Sequence, residues 1–149
     1  MNFVSSQRGA GLIEVMVTVL ILSTSLLGLA ALQNRSLQYN HSAYLRSQAN
    51  ILAYDLLDRI RINRANMGSY SLVVGGTSAA GGLVGTDLNQ WLANIAGALP
   101  GGTGGVTCNG DTRLCTVTIQ WSEQDGTGVA DANDEVDMEL SSFQYTTRI

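Results

Sequence analysis

Apolar and polar positions change their pattern along the first 65 residues. Residues 15–32 form a run of eighteen positions without a charge, which is long enough to be a candidate membrane span. Beyond this run, apolar residues recur at steps of three and four, as on one face of an amphipathic helix: Leu45, Ala49, Leu52, Leu56 and Ile60. The pattern predicts one continuous helix over residues 11–65, whose first half suits lipid and whose second half suits packing on a domain.

The next part of the chain predicts a loop followed by a second helix. Residues 68–85 are rich in Gly, Ser and Ala and are interpreted as a loop. Asp87 is the predicted cap of a helix over residues 87–99, with Gln90 three positions later. Pro100, followed by two glycines, ends this helix.

Period-two alternation predicts strands in the last third of the chain. Residues 106–108 and 115–121 flank the turn Asn109-Gly110-Asp111, and Asn-Gly between two such runs is a strong hairpin signal. A final run begins at Val136, and its apolar residues change parity between Leu140 and Phe143, which predicts a bulge near residues 141–142. The predicted fold class is therefore α+β, a short antiparallel sheet packed on the long helix.

Charge and residue content exclude several function classes. The first 70 residues carry six arginines and three acids, the remainder carries two arginines and nine acids, and the chain has no lysine. A basic first half can indicate nucleic-acid binding, but these arginines lie on a predicted helix among apolar residues, without a basic aromatic patch. The single histidine, His41, cannot supply a base beside a nucleophile. We therefore expect no enzyme, no catalytic residue, no small-molecule substrate and no nucleic-acid partner.

The two cysteines and the acidic stretch raise the question of a disulfide or a metal. If the domain lies outside the cytoplasm, Cys108 and Cys115 favour a disulfide across the hairpin, and two free thiols are the alternative. Zinc needs about four ligands, and this spacing with one distant histidine does not supply them. The stretch Asp125, Asp131, Asp134 and Glu135 offers oxygen ligands for calcium but does not match the EF-hand pattern, so a solvated loop is favoured. We expect no cofactor and no metal.

A single carboxylate, that of Glu14, lies directly before the apolar run. The segment reads Arg8-Gly9-Ala10-Gly11-Leu12-Ile13-Glu14-Val15. A carboxylate at the edge of lipid is costly and marks function, and the next basic residue along the helix, Arg35, is about 30 Å away. Its partner is therefore expected from another chain. A secretory signal peptide cleaved near Ala30 and a plain membrane anchor are the alternatives, but signal peptides have apolar regions of only about 7 to 15 residues.

The segment from Arg8 to Val15 resembles the class III signal of type IV pilins and type II secretion pseudopilins. The resemblance implies that a prepilin peptidase removes residues 1–9 by cleaving between Gly9 and Ala10, and that it N-methylates Ala10. It implies that Glu14, the fifth mature residue, pairs with the N-terminal ammonium of a neighbouring subunit. It further implies a long helix over 10–66, with a transmembrane segment at 10–32, and a C-terminal globular domain at 67–149.

Two further stretches are similar to PilV-type minor pilins. These are residues 50–61 and residues 91–121, the second with its LPGG motif and CxxxxxxC hairpin. The proline that kinks the helix of many major pilins is absent from the apolar run. The resemblance implies a minor pilin of the type IV pilus, held in the bacterial inner membrane with its domain in the periplasm, which primes assembly and enters the filament. Its expected partners are other minor and major pilins, the prepilin peptidase and the membrane. A minor pseudopilin of a type II secretion system and a membrane-anchored periplasmic binding module are the alternatives.

Overall fold

The computed structural model describes residues 11–124 and 138–149. The predicted leader with Gly9, the predicted first mature residue Ala10 and the acidic stretch 125–135 lie outside the described residues. The described residues fall into two compact units, one ending at Tyr39 and the other comprising Asn40–Ile149. Each unit is described by itself below.

One long helix runs through both units, and the second unit adds a sheet. Helix α1 spans Leu12–Ile62, a 3₁₀ helix spans Arg64–Ser69, and α2 spans Gly82–Ala98. The strands are β1 (Ser71–Leu72), β2 (Thr103–Asn109), β3 (Leu114–Gln124) and β4 (Met138–Arg148). They pair antiparallel in the order β1-β2-β3-β4. The predicted α+β class, a long N-terminal helix packed on an antiparallel sheet, is confirmed.

The second half of α1 buries the face that its periodicity predicts. All five residues of the predicted stripe are buried, and Ala53 and Leu57 join them in the core. The alternating residues of β3, Cys115, Val117, Ile119 and Trp121, are buried in the same core. Burying apolar side chains of this size contributes about 1.5 to 3 kcal/mol each, so this face is what attaches α1 to the sheet.

Helix α2 packs between α1 and β2 through a buried tryptophan. The indole Nε1 of Trp91 donates a hydrogen bond of 2.9 Å to the carbonyl oxygen of Leu52 in α1. On the other side, α2 approaches β2 so closely that a Cβ on Gly104 would lie 2.5 to 2.7 Å from the Trp91 ring and from Ile95. Glycine at position 104 therefore permits the contact between helix and strand.

The prediction of where α2 begins was wrong. The helix begins at Gly82, after Gly81 in an extended conformation, and Asp87 lies inside it with a buried side chain. Burial of Val84 extends the apolar face one turn toward the N-terminus, and this packing outweighs the low helix propensity of the glycines. The predicted loop 68–85 was wrong in part, since it also contains β1.

Two details of the sheet also differ from the prediction. The register of β3 and β4 is continuous from Leu114↔Arg148 to Gln124↔Met138, so the predicted bulge near residues 141–142 is absent from these strands. Leu140 instead lies exposed on the outer face of the sheet, which is normal for a single surface leucine. The β2–β3 hairpin is confirmed, but its turn lies between Asn109 and Leu114, which pair with each other, and Arg113 in this turn takes the left-handed conformation, with φ 56°.

Candidate functional site

The apolar part of α1 is exposed along its whole length. Every residue from Leu12 to Tyr39 is exposed, including the large apolar side chains of the predicted span. Among the described residues, α1 is the helix that is long and apolar enough to cross a membrane, and its most apolar 18-residue window is not buried in the structure. Water does not favour such a surface, so this segment requires lipid or other chains around it.

Four hydroxyl side chains in the apolar segment satisfy their hydrogen bonds within the helix. Ser23 donates to the carbonyl oxygen of Val19 at 2.7 Å, and Ser25 donates to that of Ile21 at 2.8 Å. Thr18 and Thr24 bond to carbonyls three or four residues earlier in the same way. An unpaired hydroxyl is costly in an apolar environment, whereas one bonded back to the helix is not. The polar residues of this segment are therefore compatible with lipid or a packed helix bundle.

Glu14 lies in the first turn of α1. Its side chain is exposed, and its backbone N–H bonds to the carbonyl oxygen of Gly11 at 2.9 Å. Within the described ranges 11–124 and 138–149, no cation lies within salt-bridge distance of its carboxylate. The positive end of the helix dipole favours an acid at this position. A cation near the helix start would therefore be a second favourable partner for this side chain.

A buried polar network joins three elements of the second unit. The hydroxyl of Tyr70, which is fully buried, donates a hydrogen bond of 2.6 Å to Asp87 Oδ2 in α2. Arg59 Nη1 of α1 lies 3.5 Å from Asp87 Oδ1, and Arg59 Nε lies 3.1 Å from Asp55. Burial, with the adjacent Asp87, raises the pKa of the Tyr70 hydroxyl above its ordinary value, so Tyr70 stays neutral and acts as the donor. Asn63 completes the network by donating to the Tyr70 oxygen at 3.0 Å.

Of this network, the sequence indicates only the ion pair between Asp55 and Arg59. Their spacing of four, acid first, is the favourable orientation on a helix, and the structure contains that pair. The sequence gives no sign that Arg59 also reaches Asp87, because residues 28 positions apart have no periodic relation. One sequence signal could have predicted that Asp87 is buried: it lies among the core-facing residues of α2 with Leu88 and Trp91.

A second polar cluster surrounds Glu123 near the end of β3. Ser141 of β4 donates a hydrogen bond of 2.7 Å to Glu123 Oε2. Burial alone would raise the pKa of the Glu123 carboxyl, but hydrogen bonds from Ser42 and Ser141 and the charge of Arg46 outweigh it and lower the pKa below its ordinary value of about 4.5. The cluster connects α1 to the strand pair β3–β4.

The structure contains the predicted disulfide between Cys108 and Cys115. The two residues are direct partners in the register of β2 and β3, with their Cα atoms 4.1 Å apart. Asn109 Oδ1 accepts hydrogen bonds from the backbone N–H groups of Asp111 and Thr112, which fixes the turn beside the disulfide. No cluster of three or more His, Cys, Asp or Glu side chains suitable for a metal occurs in the part of the chain that the structure describes.

Comparison with known families finds a match for part of the chain. Residues 31–80 match a family model named Tt1218-like and described as type IV pilin Tt1218. They comprise the second half of α1, the 3₁₀ helix, β1 and the start of the segment that leads to α2. No curated protein and no solved structure matches the chain. The family match supports a type IV pilin subunit, and the exposed apolar helix is consistent with membrane anchoring.

Proposed function

We propose that this chain is a minor pilin of the type IV pilus, a PilV-type subunit that is inserted in the inner membrane, helps to prime assembly and enters the filament. The observation that carries the proposal is the continuity of α1. One helix carries Glu14 in its first turn, continues as an exposed apolar segment and ends as the amphipathic helix of an α+β domain. This combination suits a subunit that is stored in lipid and later exchanges lipid for other helices.

Two independent parts of the sequence support a pilin. The signal-like segment comprises residues 8–15, whereas the family match comprises residues 31–80, so the two do not overlap. A secretory signal peptide or a plain membrane anchor would explain the apolar run, but neither would explain a match in the amphipathic helix and the segment after it. We therefore favour a pilin over a periplasmic binding module that happens to be anchored.

The assignment to the minor class rests on the sequence. Residues 50–61 and 91–121 are similar to PilV-type minor pilins, and the apolar segment has no proline. Gly28 is the only glycine in that segment, and it lies within unbroken α1. We propose other minor and major pilins as partners, with the domain in the periplasm before assembly.

Glu14 is the residue that tests this proposal. The carboxylate has no cation within salt-bridge distance among the described residues, and a charged group without a partner is costly in a site that excludes water. The α-amino group of a neighbouring mature subunit would supply the partner. Glu14→Ala should therefore insert and be cleaved normally, yet be lost from sheared filaments and from complexes with other pilins. Glu14→Gln should be impaired as well, since it keeps the shape but not the charge.

The matched control is another exposed acid, Asp111 in the β2–β3 turn. Asp111→Ala removes one negative charge far along the chain from the apolar segment and should assemble like the unchanged protein. Filament recovery is measured by shearing and immunoblotting, and cleavage by the mass of the mature chain. Normal recovery of both Glu14 variants in filaments would show that this carboxylate is not the assembly contact.

A further inference from the structure

Two tyrosines, Tyr54 of α1 and Tyr145 of β4, meet beside the core of the domain. Their ring centroids are 5.1 Å apart and the ring planes are tilted by 51°. This separation lies within the range of about 4.5 to 7 Å that is typical of aromatic rings in contact. Tyr54 follows the buried Ala53 in α1, and Tyr145 is the strand partner of the buried Val117 in β3. Because each tyrosine is adjacent to a core residue, packing of α1 on the sheet sets the distance between them.

The two rings meet at their hydroxyl ends. The hydroxyl of Tyr145 is close enough to raise the pKa of Tyr54 above its ordinary value of 10.0, so Tyr54 is a neutral phenol at neutral pH. The Cε carbons of a tyrosine are bonded to the carbon that bears the hydroxyl, and they therefore lie at the same end of each ring. Two oxidised phenols couple at these carbons, so the contact brings the reactive positions of both rings near each other.

The indole and thiol groups of the domain, which also lose single electrons readily, are not open to solvent. Trp91 and Trp121 are fully buried, and both cysteines of the chain are joined in the disulfide. Tyr70 is fully buried as well. Tyr54, in contrast, is 41% exposed among the described residues, and Tyr145 is half-buried. An oxidant in solution therefore reaches this pair more easily than it reaches the indoles or the sulfurs.

We propose that Tyr54 and Tyr145 form an oxidative modification site, at which a haem peroxidase with hydrogen peroxide joins the two rings as dityrosine and so links α1 to β4. Each phenol gives up one electron and its hydroxyl proton, and the two phenoxyl radicals form one bond between their Cε carbons. Each of these carbons then loses its proton to water while the ring oxygen regains one. The two electrons and two protons released in total reduce one hydrogen peroxide to two waters. Because the rings are already in contact, the coupling is intramolecular.

The new bond would connect parts of the chain that are far apart in sequence. A cross-link that closes a long loop restricts the unfolded chain more than one that closes a short loop, such as the Cys108–Cys115 disulfide. We therefore expect the coupled chain to unfold at a higher urea concentration than the unmodified chain. This inference goes beyond the proposed function and does not depend on it, since it requires only the folded domain.

Peptide mapping of the full-length chain in detergent tests the site. The folded chain is treated with hydrogen peroxide and a haem peroxidase, its disulfide is reduced, and it is digested with trypsin. Because trypsin cleaves after arginine, Tyr54 is the only tyrosine of peptide 47–59, and Tyr145 is the only tyrosine of peptide 114–148. We expect dityrosine fluorescence and an adduct of these two peptides that is lighter than their sum by two hydrogen atoms.

Conservative substitutions show which hydroxyls the coupling requires. Tyr54→Phe keeps an aromatic ring at the contact but removes the hydroxyl, so the folded variant should lose the adduct, and Tyr145→Phe should lose it as well. Tyr44→Phe is the matched control, because it removes the hydroxyl of another exposed tyrosine of α1 and should leave the yield of the adduct unchanged. An intact disulfide before reduction and unchanged protease resistance show that each variant is folded.

Two further samples show whether the folded contact positions the rings. In a mixture of isotope-labelled and unlabelled chains, coupling within one chain gives adducts whose two peptides carry the same label. Oxidation in urea removes the contact, with coupling of a free tyrosine derivative as the check that the peroxidase is active. An adduct within one chain that is lost in urea supports the proposal. It is overturned if the folded chain forms no adduct of these two peptides, if the adduct joins different chains, or if it forms equally in urea.

Discussion

At the scale of single residues, the domain depends on polar groups buried in mutual contact. Among the described residues, Asp87 is the acid with a buried side chain. It accepts a hydrogen bond from Tyr70, which follows the 3₁₀ helix, and forms an ion pair with Arg59 of α1. A buried acid without partners is costly, whereas a satisfied one fixes the elements that supply its partners. The sequence placed Asp87 at a helix cap because it precedes an apolar run, a local pattern that also occurs inside helices.

Removal of Asp87 and of the Tyr70 hydroxyl together should cost less than the sum of the two single removals. Asp87→Ala leaves the fully buried Tyr70 hydroxyl without its acceptor, which should reduce the free energy of unfolding by about 1 to 3 kcal/mol. In the double variant Asp87→Ala/Tyr70→Phe the orphaned donor is gone, so the combined loss should be smaller than the sum of the two single losses. Unfolding of the detergent-solubilised chain, followed by fluorescence of the buried Trp91 and Trp121, measures each value. Additive losses would contradict a coupled network.

Glu123 should make the domain sensitive to acid. Its pKa in the folded protein lies below the ordinary value of about 4.5, so the ionised carboxylate stabilises the fold at neutral pH. This contribution is complete above the unfolded pKa and disappears as the pH falls below about 4.5 and through the lower folded pKa. Glu123→Gln should therefore lower the melting temperature at pH 7 and reduce the difference in melting temperature between pH 7 and pH 3. An unchanged pH dependence would assign the acid sensitivity to other carboxylates.

At the scale of elements, those with a sustained period were predictable from sequence. The stripe from Leu45 to Ile60 and the alternation in β3 predicted buried faces correctly, because a long run repeats the same signal many times. The start of α2 and the two-residue strand β1 could not be predicted, since both lie in a Gly-rich stretch and depend on tertiary packing of Val84 and Leu72. The bulge in β4 was wrongly predicted because Leu140 was assumed to face the core. Of the candidate site, the cysteine pair and the position of Glu14 were predictable, whereas the contacts of Asp87 were not.

The disulfide acts on the β2–β3 hairpin. It closes a short loop between residues seven positions apart, for which the chain-entropy model gives about 2 to 3 kcal/mol. The double variant Cys108→Ser/Cys115→Ser should lower the free energy of unfolding by up to this amount. Unfolding with and without reductant measures the contribution: the unchanged chain should lose stability on reduction, and the double variant should not respond. Labelling of both thiols in the unreduced chain would show that the bond does not form.

At the scale of the whole molecule, the two parts of α1 require different surroundings. Residues 12–39 expose an apolar surface whose hydroxyls are satisfied internally, whereas residues 45–60 bury their apolar face in the α+β domain. The first part therefore requires lipid or neighbouring helices, and the second part is already satisfied. If the chain is a membrane-held pilin, as we propose, it could leave the membrane without refolding its domain, provided that other chains cover the apolar segment.

Processing is the prediction that decides how the helix can enter a filament. If a prepilin peptidase cleaves after Gly9, the mature chain begins at N-methylated Ala10, and loss of Arg8 changes its formal net charge from −4 to −5. Cleavage would remove the polar leader and create a new ammonium group on Ala10, four positions before Glu14 in sequence. Glu14 itself lies in the first turn of α1, where the helix dipole favours an acid. The ammonium of one subunit would then be available to the carboxylate of another. Gly9→Leu should block cleavage and retain the chain in the membrane, whereas Ser6→Ala, which leaves the cleavage site intact, should not. The measurement is mass spectrometry of the N-terminal peptide from assembled protein. Processing by a prepilin peptidase would be contradicted by a chain that still begins at Met1 or by one that begins at Ala31.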